Sequence, residues 1–211
     1  MNKNITICIL ENILEKINFE NLKNVLIKFL KKYFTQNEKD TFTFIQFGLN
    51  GLKTKLFVSQ SLNKFIEKFN TVKNDVKLDD YSLINEKEIL IGMYDIFETI
   101  INNYQKTEEK DNIIMFFIDA KDIRFSSVAD CLNIVEALND NYTSVFFFCF
   151  NEIIEESKIN NIQSFLNGLI EGYFFQIKNY QQLKQIFAYL STNNNQTNFF
   201  NYYYECFDHN L

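Results

Sequence analysis

The feature that most constrains this chain is the run Ile113 to Ile118, IIMFFI, which is followed at once by Asp119, Ala120, Lys121 and Asp122. A strand with one wet face alternates apolar and polar residues, and this one does not. It reads instead as a strand covered on both faces, the centre of a parallel sheet with helices above and below. In such sheets the crevice at the carboxyl ends of the strands is where ligands bind, so Asp119 marks the first place to look for a site.

The rest of the chain supplies the strands and helices that such a sheet needs. Asn4 to Leu10 is a first strand, and Glu11 to Asn18 a polar-edged loop or short helical turn. In Phe19 to Phe34 the residues Leu22, Val25, Leu26, Phe29, Leu30 and Tyr33 recur at helical spacing on one face. Lys23, Asn24, Lys28, Lys31 and Lys32 fall on the other, which predicts a solvated face. Thr41 to Phe47 and Leu52 to Val58 are β-rich, and the Gly48-Leu49-Asn50-Gly51 between them signals a hairpin, one antiparallel step. Ser61 is placed to cap a helix that turns Leu62, Phe65, Ile66 and Phe69 inward.

Lys73 to Asn85 is polar and reads as loop, and Glu88 to Gln105 as helix. After the central strand a helix starts at Ser126 or Ser127, and Ser144 to Phe150 is a second buried strand. Ile159 to Leu169 is helical, with Gly172 ending it, Tyr173 to Ile177 is a last strand and Tyr180 to Leu190 a last helix. The predicted fold is a three-layer α/β/α domain with a mainly parallel six-stranded sheet and one antiparallel edge strand, spanning residues 1–191. Residues 192–211 differ in composition. They open on Asn193-Asn194-Asn195-Gln196, which reads as a linker, and continue with Phe199, Phe200, Tyr202, Tyr203, Tyr204 and Phe207. That much aromatic surface has to be covered, by the domain itself or by a partner, and these residues are the candidate partner contacts.

A net charge of −6 and a pI near 5.0 argue against a large nucleic-acid surface, because duplex binding relies on neutralising phosphates. No apolar run approaches the ~20 residues that span a bilayer, and Met1 to Leu10 has no signal-peptide pattern. Cys8, Cys131, Cys149 and Cys206 are far apart, and the first three sit in apolar strands or on a helix face, as reduced core thiols of a cytosolic or nuclear protein do.

The candidate chemistry is sparse. Nucleophile–base catalysis most often uses histidine, and His209, two residues before the last, is the one histidine of the chain. Its five glycines make neither a Walker loop nor a dinucleotide fingerprint, and the turn after the first strand is Glu11-Asn12-Ile13-Leu14. Glu11, Asp119 and Asp122 at neighbouring strand ends are a candidate carboxylate set for a hard cation such as magnesium, although strand-end carboxylates are commonly solvated or cap the next helix. Cys206 and His209 are zinc-type ligands, two where a structural site needs four.

The element order, the early hairpin and the strand ending in Asp119 resemble the von Willebrand factor A domain. That family places Asp-x-Ser-x-Ser after its first strand, a Thr before a later helix and an Asp after the central strand. Here the first motif reads Glu11-Asn12-Ile13-Leu14-Glu15 and the Thr position falls near Lys87, so only Asp119 fits. The resemblance therefore implies a degenerate metal site at Glu11, Asn12, Lys87 and Asp119 that holds no metal, with the Lys87 amine standing among Glu11 and Asp119 in place of the ion.

Within the superfamily, ILIGMYDIFETI, IIMFFIDAKD with SVADCLNIVEAL, LNGLIEGYFFQIKNYQQLKQIFAYL and the tail NYYYECFDHNL resemble one branch, the thirty-four-kilodalton subunits of the general transcription and repair factor TFIIH. In that branch a similar tail opens a zinc-binding module. Cys206 and His209 match its ligand-type residues and Asp208 replaces a cysteine. The resemblance implies a nuclear, non-enzymatic subunit without a cofactor, zinc entering only with a module that the chain, ending at Leu211, does not contain. It implies docking on a companion TFIIH core subunit with a RING-like zinc domain and on other TFIIH subunits, with no direct nucleic-acid or membrane contact. The rival readings are a degenerate A-domain scaffold of another assembly (proteasome, cytoskeletal or ciliary), cytoplasmic rather than nuclear, and a metal-dependent hydrolase using Glu11, Asp119 and Asp122.

Overall fold

A computed structural model describes residues 3–10, 13, 17–34, 40–48, 53–73, 91–103, 111–119, 123–124, 128–150 and 156–190. Strands β1 (Lys3–Leu10), β2 (Thr41–Phe47), β3 (Lys53–Ser59), β5 (Asp111–Ile118), β7 (Thr143–Cys149) and β8 (Glu171–Gln176) form one sheet in the order β3-β2-β1-β5-β7-β8. Every pairing is parallel except β2 with β3, which is antiparallel at the edge. The expected three-layer architecture is the one found. A second sheet of two short strands, β4 (Ile91–Gly92) and β6 (Ile123–Arg124), was not foreseen.

The period of two in the strands sorts the core into two layers. Ile5, Ile7 and Ile9 of β1, with Met115 and Phe117 of β5 and Phe146 and Phe148 of β7, meet helices α1 (Phe19–Tyr33), α2 (Leu62–Thr71) and α6 (Tyr180–Leu190). Cys8 and Leu10, Phe116 and Ile118, and Phe147 and Cys149 meet α3 (Met93–Asn103), α4 (Val128–Asp140) and α5 (Glu156–Asn167). At the amino ends of the parallel strands a polar ladder runs level with the register. The Thr41 hydroxyl bonds to the Asn4 side-chain oxygen, Asn4 Nδ2 donates to Asn112 Oδ1 (2.8 Å), and Asn112 Nδ2 donates to the Asn141 carbonyl (2.5 Å).

Asn18 and Ser61 cap α1 and α2, the second as expected, each accepting a backbone N–H from three residues on. Three expectations need correction. Ile91 and Gly92 are strand rather than the interior of a helix begun at Glu88, so α3 opens at Met93; Glu88 to Leu90 lie outside the described residues. Lys23 does not join the solvated face of α1, for it is 3% exposed and its amine reaches the end of α2.

Gly172 does not end a helix, because α5 stops at Asn167 and Gly172 is the second residue of β8. Its role is close approach: a Cβ there would stand 2.7 Å from the Leu166 carbonyl oxygen and 3.0 Å from the Leu166 side chain. Gly172→Ala is therefore expected to cost about 1–3 kcal/mol, the cost of overpacking. At Gly168, where a Cβ would meet chiefly the movable Val135 side chain at 3.1 Å, alanine should cost less. Urea unfolding of the two variants checks the order; equal losses would mean that β8 shifts freely on α5.

Candidate functional site

Strand β1 is followed by α1 on one face of the sheet and β5 by α4 on the other, so the chain diverges between these two neighbours. The carboxyl ends of β1 and β5 are thus the topological switch point, the place where open α/β sheets bind ligands. Leu10 closes β1, Asp119 follows β5 directly, and both are fully buried. The β4–β6 pairing, Ile91 with Ile123 and Gly92 with Arg124, sets the segment that enters α3 beside the segment that leaves Asp119.

The described lining is mostly apolar. Cys149 lies level with Ile118, the Phe150 N–H donates to the Ile118 carbonyl (2.9 Å), and the Ile177 N–H donates to the Cys149 carbonyl (2.7 Å). Burial pushes the Cys149 thiol well above its ordinary pKa and the neighbouring Asp119 charge pushes it further the same way; burial alone does so for Cys8. A thiol held in its protonated form is neither a good nucleophile nor a good metal ligand. In the native protein the peptides carrying Cys8 and Cys149 should take up iodoacetamide at pH 8 on the order of a hundredfold more slowly than in urea, since both need an opening of the fold to react. Rapid native labelling of Cys149 would show that the crevice admits solvent.

Ile13 is the residue that the sequence resemblance sets at the first serine of the A-domain metal motif. It is fully buried and packs into the core on the α1 side, and the Ile17 N–H donates to its carbonyl (3.0 Å). A branched apolar side chain drawn into the core there has no oxygen to offer an ion. Among the described residues no group of three His, Cys, Asp or Glu side chains is placed to hold a metal. Glu11, Asn12, Lys87 and Asp122 lie outside the described residues, as do Cys206, His209 and the aromatic set Phe199, Phe200, Tyr202, Tyr203, Tyr204 and Phe207. Of the expected site the structure describes Asp119 alone, buried at the switch point.

No protein-family model and no curated protein matches the chain. Solved structures do. The VWA domain of SpRpn10 is similar with a TM-score of 0.58 at 9% identity, over 90% of this chain and 97% of that one. The conserved hypothetical protein BatB from Bacteroides thetaiotaomicron gives 0.55 at 10%, over 92% and 100%. The proximal thread matrix protein 1 of the mussel byssus gives 0.59 at 8%, over 90% of this chain and 47% of that one, about half its length. At these identities the likeness is one of fold, and the fold is von Willebrand factor A-like. No helix among the described residues is long and apolar enough to cross a membrane.

Proposed function

We propose that this chain is a non-catalytic interaction module, and that its place is the core of TFIIH, in the nucleus, on a companion subunit with a RING-like zinc domain. The observation that carries the first part is Ile13, an apolar side chain buried in the core where a metal-binding A domain keeps a hydroxyl. Asp119, fully buried beside a thiol that its charge helps keep protonated, agrees with a crevice built for packing rather than turnover. A fold neighbour named as a matrix protein lends the same support. The second part rests on the matching helices and strands and on the tail from Asn201 to Leu211.

Tagging the protein at Met1 and identifying co-purifying chains by mass spectrometry tests both parts. Recovery of the RING-domain subunit with the repair helicases is the expected result. A different assembly would keep the module and remove TFIIH, and recovery of no partner would remove the module. Calorimetric titration with magnesium and manganese is expected to give no saturable heat; a clear site would return the chain to the metal-dependent hydrolases.

A further inference from the structure

The two helical layers differ in charge. On α1, α2 and α6 the side chains of Lys28, Lys31, Lys32, Lys64, Lys68 and Lys184 are all exposed, and none forms an ion pair among the described residues. The acids on these helices are Glu67 and Glu20, and Glu20 is taken up by the buried Lys23 at 2.7 Å. On the opposite layer the exposed charges described are Glu98 of α3 and Glu136 and Asp140 of α4. A chain with a net charge of −6 therefore carries, among the described residues, one helical layer whose exposed charges are predominantly cationic.

The helix dipole accounts for part of this, because Lys31, Lys32 and Lys68 stand in last turns, where a cation is favoured. It does not account for Lys28, for Lys184, or for Lys64, which stands in the first turn of α2 against the dipole and with no acid beside it in that turn. Helix α1 packs against both α2 and α6, so all six lysines are carried by one helical layer.

We infer that the outer surface of the α1–α2–α6 layer docks an acidic segment of a protein partner. Charge complementarity is the argument, and the chemistry of the surface selects among polyanions. The three helices contain no arginine, the residue that grips phosphates in a bidentate fork. Among the described residues the exposed large apolar ones, Val58, Leu132, Tyr142 and Ile170, all lie off these helices, so the described surface offers no large apolar side chain to insert into a bilayer. Lysine ammoniums on flexible stems suit a run of carboxylates whose spacing is not fixed. The inference rests on the interaction-module reading and adds the face and the kind of partner.

The test is zero-length carbodiimide cross-linking, which joins lysine amines to touching carboxyls, on the tagged full-length protein in its native complex. The expected result is a cross-link from one or more of the six lysines to a run of Asp and Glu in a partner. Reversing Lys28→Glu, Lys31→Glu and Lys32→Glu together should then weaken binding of that purified partner by about tenfold or more and flatten its salt dependence. Reversing Glu98→Lys, Glu136→Lys and Asp140→Lys should leave binding within about twofold. The neutral triple variant Lys28→Gln, Lys31→Gln and Lys32→Gln, with unchanged melting, should show an intermediate loss and guards against misfolding of the reversal.

Partners that co-purify without cross-links to these lysines, and that bind the reversed protein normally, would overturn the inference and leave the module reading standing. Recovery of no partner would end both. Cross-links to Glu98, Glu136 or Asp140 of a second copy would overturn it in favour of self-association. Retention as strong as the partner's on phosphatidylcholine vesicles with about 30% phosphatidylserine, or on a DNA duplex of about 20 base pairs, would overturn the choice of a protein.

Discussion

Phe148→Ala is expected to cost about 3–5 kcal/mol, a large fraction of the roughly 5–15 kcal/mol that holds a domain folded. Phe148 is the fully buried last-but-one residue of β7, and parallel register puts Phe117 of β5 and Phe175 of β8 level with it. The three rings stack across the strands, 4.9 and 5.2 Å apart, close to the spacing of neighbouring strands. Phe187 of α6 stands edge-on to Phe148 at 5.3 Å, and Phe29 of α1 stacks on Phe187 at 4.3 Å. Removing the Phe148 ring opens a cavity between three strands and a helix, and neighbours tied into their own strands cannot collapse to fill it. Equilibrium denaturation should show a lower midpoint at unchanged slope. Ile170→Ala, at a side chain 73% exposed, should stay within about 0.5 kcal/mol of the parent. A loss below ~1.5 kcal/mol at Phe148 would mean that the aromatic ladder relaxes around the gap.

The same ladder explains what could be read from the sequence. IIMFFI and SVFFFC are apolar on both faces, and only a strand covered on both sides tolerates that, so the three layers and the parallel pairing follow from the residues alone. Which face each phenylalanine takes follows from its parity. The β4–β6 pair was not legible, since Ile91-Gly92 and Ile123-Arg124 are too short for any period and pair only because the fold brings them together. Gly172 reads as a helix stop in the sequence for a different reason. Glycine marks both a helix end and a close approach, and only the Leu166 carbonyl 2.7 Å from its missing Cβ tells them apart.

At the site, Asp119 was legible because a charge after a doubly buried strand falls at the carboxyl end of the sheet by construction. Its complete burial was not, because burial is decided by segments distant in sequence. The cationic layer was half legible. Helical spacing places Lys28, Lys31 and Lys32 together on α1, but α2 and α6 add Lys64, Lys68 and Lys184 only through packing, and the sequence had grouped Lys23 with them wrongly.

Lys23 carries the second large effect. Its Nζ donates to the Val72 carbonyl at 2.9 Å and to the Asn70 carbonyl at 3.4 Å, and it lies 5.1 Å from the centre of the Phe19 ring. The last carbonyls of a helix have no partner within it and form the negative end of its dipole. Lys23 therefore caps α2 from α1, its stem packed in the core and its amine spent on those carbonyls. Lys23→Met keeps the stem and removes the donor, and should cost about 1–3 kcal/mol, the cost of stranding buried acceptors. Lys23→Ala also loses the packing and should cost about 2–4 kcal/mol. Glu20→Ala should cost under about 1 kcal/mol, because Glu20 is 70% exposed and water takes its place beside the amine. Hydrogen exchange should quicken at the end of α2 in both Lys23 variants and stay as in the parent in Glu20→Ala. The reverse order, with Glu20→Ala the costlier change, would show that the ion pair and not the carbonyls keeps this lysine inside.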